Sequence, residues 1–369
     1  MQTKLEWTPE QELLILTSRL TFSENQKEQL TTLLSENRIN WFEFYKLTLY
    51  HKTMTLCWKN IKTYCPDVPI PKYLREVITS ASISISERNK NYQLKIKEAL
   101  DEFKKHDLTC IPVKGSYLIP NMYKDYGIRY SGDADFLVKY SDIAKLEDAM
   151  ESLGFIKSNG IYNEIDNTIT PISRAEEIMW KRSMSNLPPY LKLNDNRFTP
   201  FYLFDFRFAL DDTLNHDPIN EIIDNYIRTG HVNPSHVLTH LCTHFYGEAT
   251  YTLTIFFGKD MSLIKLCDIR EYIIQCMDNV SLESCVSFAK KNNLEKQIYY
   301  TMFYLKLVYN DGYEDEIMEK LGVVDQDFMR EFGENQLGEK QKFKKGFYER
   351  IFSCDNSDEM LEGPRFLEI

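Results

Sequence analysis

Lys114-Gly115-Ser116, followed by Arg129 and by Asp133-Ala134-Asp135 at the head of the apolar run Phe136-Leu137-Val138, constrains this chain more than any other stretch. Side chains alternate between the two faces of a strand, so residues two apart point the same way. Asp133 and Asp135 therefore share one face, and Ala134 and Phe136 turn to the interior. Two neighbouring carboxylates raise each other's pKa unless a cation lies between them. Mg²⁺ suits that position, because it takes hard oxygen ligands and completes its octahedron with phosphates and water. Taken alone the triplet says little. With 55 acids in 369 residues, about eight acid-x-acid triplets arise by chance, so the surrounding residues must carry the argument.

Leu108 to Val113 reads as a short buried strand entering the Lys114-Gly115-Ser116 turn. Glycine lets backbone approach a phosphate closely, and Ser116 adds a hydroxyl and an amide donor. After the acids, Ser141-Asp142 offer an N-cap to a helix with Ile143, Leu146, Met150 and Leu153 on one face, and Gly154 stops it. The order is strand, glycine turn, acidic strand, helix. This set suits chemistry on a nucleoside triphosphate. Further on, Phe201 to Phe208 alternates, with Phe204, Phe206 and Phe208 on one face and Asp205 and Arg207 on the other.

The run KGSYLIPNMYKDYGIRYSGDADFLV resembles the DNA polymerase β-like nucleotidyltransferase superfamily. It is similar to that superfamily's branch of uncharacterised bacterial nucleotidyltransferases with a Lys-Gly turn, a Tyr, an Arg and then Asp-x-Asp. Lys114, Gly115, Ser116, Tyr123, Arg129, Asp133 and Asp135 match that pattern. The resemblance implies an α/β (α+β) core with a small mixed sheet. It implies triphosphate binding by Lys114, Gly115, Ser116 and Arg129, and a metal-binding catalytic triad completed by a third acid on a later strand, here Asp205. A His often stands two residues after that acid in the branch. Arg207 replaces it here and leaves its own role open.

What the resemblance implies chemically is a Mg²⁺-dependent (or Mn²⁺-dependent) transfer. Two metal ions about 4 Å apart clamp the attacking and leaving oxygens of an in-line displacement, held by Asp133, Asp135 and Asp205. Positioning and electrostatics stabilise the transferring phosphoryl group. Attack falls on the α-phosphate of an NTP, pyrophosphate leaves, and a nucleoside monophosphate stays on an acceptor hydroxyl. Residue spacing by itself does not separate this from γ-phosphoryl transfer. A catalytically inactive nucleotide-sensing or partner-binding protein is the alternative, although the presence of all three acids argues against it. A toxin-like enzyme acting on tRNA is a third reading.

Net charge is −11, which disfavours a long polyanionic substrate and favours a small molecule or protein as acceptor over nucleic acid. Hydrophobic content of 43% with 13% aromatics indicates a folded chain with a large core. Eight isolated cysteines without a C-x-x-C pair fit reduced thiols in a cytoplasmic protein. The first residues carry no apolar signal core, and no apolar run reaches the ~18 residues needed to span a bilayer. No membrane partner is expected.

Three regions follow: helical over 1–90, the nucleotidyltransferase core over 91–215, and helical again over 216–369. Capping boxes at Thr8 and Ser23 open the first two helices. A single aromatic helix is expected from Trp41 to Lys62. The Pro66, Pro69, Pro71 cluster then precedes another helix from about Ser86 to His106. Ile161 to Asp166 reads as a strand, Glu176 to Pro200 as an insertion beside the site, and Cys354 to Ile369 as a loosely attached acidic end. His236, His240 and His244 form a stripe at helical spacing. Packing or cleft-facing histidines explain it better than a metal site. Lys259, Lys265 and Arg270 are further candidates for nucleotide contact.

Overall fold

A computed structural model describes residues 7–334 and 339–353. The acidic end from Cys354 lies outside the described residues. Helices α1 (Pro9–Thr17) and α2 (Glu24–Glu36) begin at Thr8 and Ser23, each with the reciprocal side-chain bonds of a capping box. The expected single aromatic helix is broken into α3 (Trp41–Tyr50) and α4 (Met54–Tyr64). Lys52 turns left-handed at φ 57°. His51, fully buried, accepts from the Leu263 and Ile264 amides through its ring Nδ1 and its carbonyl. The His51 amide still donates to the Leu47 carbonyl, but the long-range bonding takes its carbonyl out of the helix ladder, which no local propensity announces.

Helix α5 (Lys72–Lys105) starts directly after Pro71, well before the expected Ser86. The Ile-Ser alternation between Ile78 and Ser86 mimics a strand. Tertiary packing overrides it, and Ser82 donates to the Gly127 carbonyl.

A six-stranded mixed sheet follows, with β1 (Ile111–Val113), α6 (Lys114–Leu118), β2 (Ala134–Leu137), α7 (Ile143–Ser152), β3 (Ile156–Asn163), β4 (Thr168–Pro171), α8 (Arg174–Ser183), β5 (Tyr190–Asn196) and β6 (Thr199–Arg207). The strand order is β1-β2-β6-β5-β3-β4. Only the β2–β6 pair is parallel; the other neighbours run antiparallel. The stretch expected as an insertion thus supplies α8 and the interior strand β5. Tyr190 and Leu191 are buried there, but Asp and Asn alternating beyond them disguise the strand. The α+β class expected from the sequence is the observed one.

One face of the sheet buries Phe136, Phe204 and Phe206 with Phe103 and Tyr92 of α5 and with Leu146 and Met150 of α7. The rings interlock: Phe136 stacks on Phe206 at 5.2 Å, and Phe103 meets both edge-on at 6.0 Å. Each such buried ring contributes about 3–5 kcal/mol against its truncation. The period-two apolar pattern of β2 and β6 thereby forces their acids onto the opposite face.

Helices α9 (Asp217–Thr229), α10 (Pro234–Thr250), α11 (Thr252–Phe256), α12 (Leu263–Cys276), α13 (Asn279–Lys291), α14 (Glu295–Val308) and α15 (Tyr313–Leu321) come next. The hairpin β7 (Glu331–Glu334) and β8 (Lys340–Lys342) and helix α16 (Phe347–Phe352) complete the described chain. The chain packs as two compact units, Thr79–His240 around the sheet and a helical one formed from residues up to Ile78 and from Leu241 onward. In the helical unit α12 is buried along most of its length. Its Arg270 is taken by Asp311 and Glu271, so its guanidinium is neutralised inside the unit. Lys265 pairs with Glu248. None of the described cysteines is in a disulfide, and among them only Cys276 is exposed. Among the described residues no helix is long and apolar enough to cross a membrane.

Candidate active site

Parallel pairing of β2 with β6 sets Asp135 directly opposite Asp205 in register. In a parallel pair, partners in register project to the same face. Asp133 lies just before β2, two residues from Asp135, on that same side by alternation. The three acids expected from the sequence are therefore brought to one end of one sheet face. Asp135 is 5% exposed, and Asp133 and Asp205 are half-buried.

The buried carboxyl of Asp135 is pushed up to about 7, first by burial and then by the negative charge of Asp133; Lys114 pulls the other way. Lys114 is ion-paired to Asp135. Burial pulls its ammonium down, but the attraction of Asp135, Asp133 and Asp205 outweighs that and holds its pKa above the ordinary value. One lysine thus faces three carboxylates and does not neutralise them. Hard oxygen donors with a surplus of negative charge fit a divalent cation. Among the described residues no group of three or more acidic, histidine or cysteine side chains is placed to hold a metal ion as it stands, so the three acids share a face without forming a ready-made metal site.

The Lys-Gly-Ser turn is the start of α6. Lys114 itself occupies the left-handed region at φ 49°, a conformation that costs a non-glycine residue about 1 kcal/mol or more. Gly115 is required for a different reason. A Cβ there would lie 2.3 Å from the Ser131 hydroxyl and 2.7 Å from Nη1 of Arg129, so the missing side chain admits the arginine. Ser116 is buried, and its hydroxyl accepts the Asp135 amide at 3.1 Å. It therefore ties the turn to the acidic strand. Arg129, 8% exposed, also packs over the Tyr123 ring.

Helix α5 holds the loop that carries Arg129. Asn89, buried, donates through Nδ2 to the carbonyls of Tyr126 and Arg129, both at 2.7 Å. Arg88 donates to the carbonyls of Ser131 and Gly132. Tyr92 donates to the Gly132 carbonyl and accepts the Leu203 amide, which links the loop to β6. Gln93 reaches the Ser116 carbonyl. Sequence reasoning passed over these residues, although polar side chains at 88, 89, 92 and 93 on the inner face of a core helix are the signal that marks them.

Asn186 was equally invisible in the sequence. It donates to the Asp205 carboxylate at 2.9 Å, and the bridge between Asn186 and Arg207 places it there. Arg207 donates to the Ser185 hydroxyl at 2.9 Å. His240 is buried, and its pKa falls well below 6.5, through burial first and then through the nearby charges of Arg207 and Lys114. Of the histidine stripe, His240 thus lies within the field of the site as a neutral imidazole. His236 is lowered by burial, and His244 pairs with Glu248 at 3.3 Å.

A family model described as uncharacterised nucleotidyltransferase matches residues 37–310 of the chain. No curated protein and no solved structure matches it.

Proposed function

We propose, from the premise that the chain belongs to the uncharacterised nucleotidyltransferase family and is an enzyme transferring nucleotidyl groups, that it moves a nucleoside monophosphate from an NTP to the hydroxyl of a small molecule or protein and releases pyrophosphate. The observation that carries this reading is the register pairing of Asp135 with Asp205 across parallel strands, with Asp133 two residues upstream. Asp133, Asp135 and Asp205 would hold Mg²⁺ or Mn²⁺, which when bound supplies Lewis-acid charge at the phosphates.

The chain's own residues do the rest. Asp205, kept in orientation by Asn186, would accept the proton of the acceptor hydroxyl. Arg129, seated against Gly115, offers a charged donor to the phosphates of the NTP. Lys114, paired with Asp135, offsets part of the charge of the acidic cluster and would offer its ammonium to a phosphate oxygen of the triphosphate. The net charge favours a small or protein acceptor over a nucleic acid.

Calorimetric titration with each of the four triphosphates, with and without Mg²⁺, tests this. Tight Mg²⁺-dependent binding of a triphosphate, weakened at least tenfold in Asp133→Asn/Asp135→Asn, is expected. Absence of binding to the folded wild type, or binding indifferent to that double substitution, would overturn it.

A further inference from the structure

Arg207 stands on the catalytic face without a role in the transfer itself. Strand β6 alternates, so Arg207 projects to the same side as Asp205, one pleat of about 7 Å further along. It lies in register with Leu137 of the parallel strand β2. The order along this face is thus Asp133, then Asp135 with Asp205, then Arg207. Arg129 lies at the other end, where it shares the space over Gly115 with Ser131 before β2 begins. The two arginines therefore flank the acids from opposite ends of the strands.

The Arg207 guanidinium is half-buried, and among the described residues no carboxylate pairs with it. Its Nη1 donates to the Ser185 hydroxyl at 2.9 Å. That serine is itself fixed: it is 5% exposed, and its carbonyl accepts the Phe208 and Ala209 amides at 3.0 and 3.2 Å. A guanidinium carries five N–H donors in a rigid fork, and the neutral hydroxyl takes one of them. None of its remaining nitrogens is sealed without a partner in the interior; they open to solvent. Its charge is felt nearby, where the His240 imidazole is depressed first by burial and then by Arg207 and Lys114. The other cations of the site are engaged, Lys114 with Asp135 and Arg129 through Nη1 with the Tyr130 carbonyl at 3.3 Å.

An anion brought to Asp205 is repelled by the three carboxylates unless a cation meets it on its own side. A planar guanidinium fork suits the oxygens of carboxylate and phosphate alike. We propose, resting on the nucleotidyl-transfer reading above, that Arg207 binds the acceptor, and that the acceptor is a small hydroxyl compound bearing a carboxylate or a phosphate. Its hydroxyl oxygen bonds to the α-phosphorus, its proton passes to Asp205, and the bond from that phosphorus to the pyrophosphate oxygen breaks. The single pleat between Arg207 and Asp205 puts both groups within reach of one small molecule.

The test has two arms. Phenylglyoxal labelling of the full chain in EDTA, read at Arg207 by peptide mass spectrometry, needs no turnover. Millimolar glycerol 3-phosphate or glycerate should slow labelling of Arg207 at least fivefold, and glycerol should not. Arg207 that resists labelling, or that labels at one rate with all three compounds, overturns the proposal, since an arginine that only offsets the acidic cluster behaves so. In the second arm wild type, Arg207→Gln and Arg207→Lys receive Mg²⁺, α-labelled triphosphate and the small molecules of a cell extract, split by anion exchange into retained and unretained compounds. Label should pass to retained compounds alone. Arg207→Gln should raise the apparent KM for that fraction at least tenfold and Arg207→Lys less, with Kd for the triphosphate unchanged in both. Phosphatase treatment of the retained fraction, with the phosphatase then removed, abolishes transfer to a phosphate ester and spares a carboxylate. Transfer to unretained compounds, or a triphosphate Kd raised as much as the KM, overturns the proposal. Absence of any transfer by the wild type overturns the nucleotidyl-transfer reading and with it the acceptor role, and the labelling arm still decides whether Arg207 holds an anion.

Discussion

Asp135→Asn removes one charge from the acidic cluster without changing its shape, and the structure gives the sign and size of the consequence. In the folded protein the Asp135 carboxyl is raised from 3.8 to about 7, so between roughly pH 4 and pH 7 the native state holds a proton that the unfolded chain has released. Stability contributed by this group therefore falls as pH rises through that window and is level above it. The full difference of about 3 units corresponds to about 4 kcal/mol of electrostatic strain at ~1.4 kcal/mol per unit. About two of those units lie between pH 5 and pH 7. Asparagine has no such slope. Loss of the Lys114 partner adds an offset constant across the window, because the Lys114 shift is upward from 10.5 and acts only at higher pH. Urea unfolding in EDTA, compared at pH 5 and pH 8, should show the variant gaining about 2–3 kcal/mol on the wild type over that interval. At pH 8, Mg²⁺ should then stabilise the wild type and leave the variant unmoved. Parallel stability curves from pH 5 to pH 8 would refute the reasoning that burial and the neighbouring acids strain this carboxyl.

Gly115→Ala should reduce nucleotidyl transfer at least tenfold and destabilise by about 1–3 kcal/mol, since the new methyl meets Ser131 and Arg129; thermal unfolding and turnover together check it. Asn89→Leu strips the donor from two buried carbonyls and should cost about 2–4 kcal/mol, with KM for the NTP rising as the Arg129 loop loosens. Phe136→Ala, in the middle of the stacked core, should cost about 3–5 kcal/mol, measured by urea denaturation.

The strongest features were legible because they are local. The Thr8 and Ser23 capping boxes, the α7 stripe closed by Gly154 at φ 73°, and the alternating phenylalanines of β6 each encode their geometry within a few residues. The register of Asp135 with Asp205 was half legible: alternation gave the face, but only sheet pairing gives the partner. What stayed hidden rests on contacts distant in sequence. The break at His51 depends on the Leu263 amide, 212 residues away, and the role of Asn186 depends on a bridge to β6. Strand β5 escaped notice because its outer half carries polar side chains. Gly115 was singled out for close approach of a phosphate. The atoms that approach it here are those of Ser131 and Arg129.

The measurement that bears most directly on the central claim is phosphate chemistry at the acidic cluster. Wild type and Asp205→Asn should be incubated with Mg²⁺, each triphosphate, and a cell extract supplying small-molecule and protein hydroxyls, with released pyrophosphate and orthophosphate quantified. The account predicts Mg²⁺-dependent pyrophosphate release by the wild type, with the α-phosphate label retained on an acceptor, and a loss of at least a hundredfold in the variant. Release of orthophosphate in place of pyrophosphate, or equal pyrophosphate release by Asp205→Asn, would contradict it.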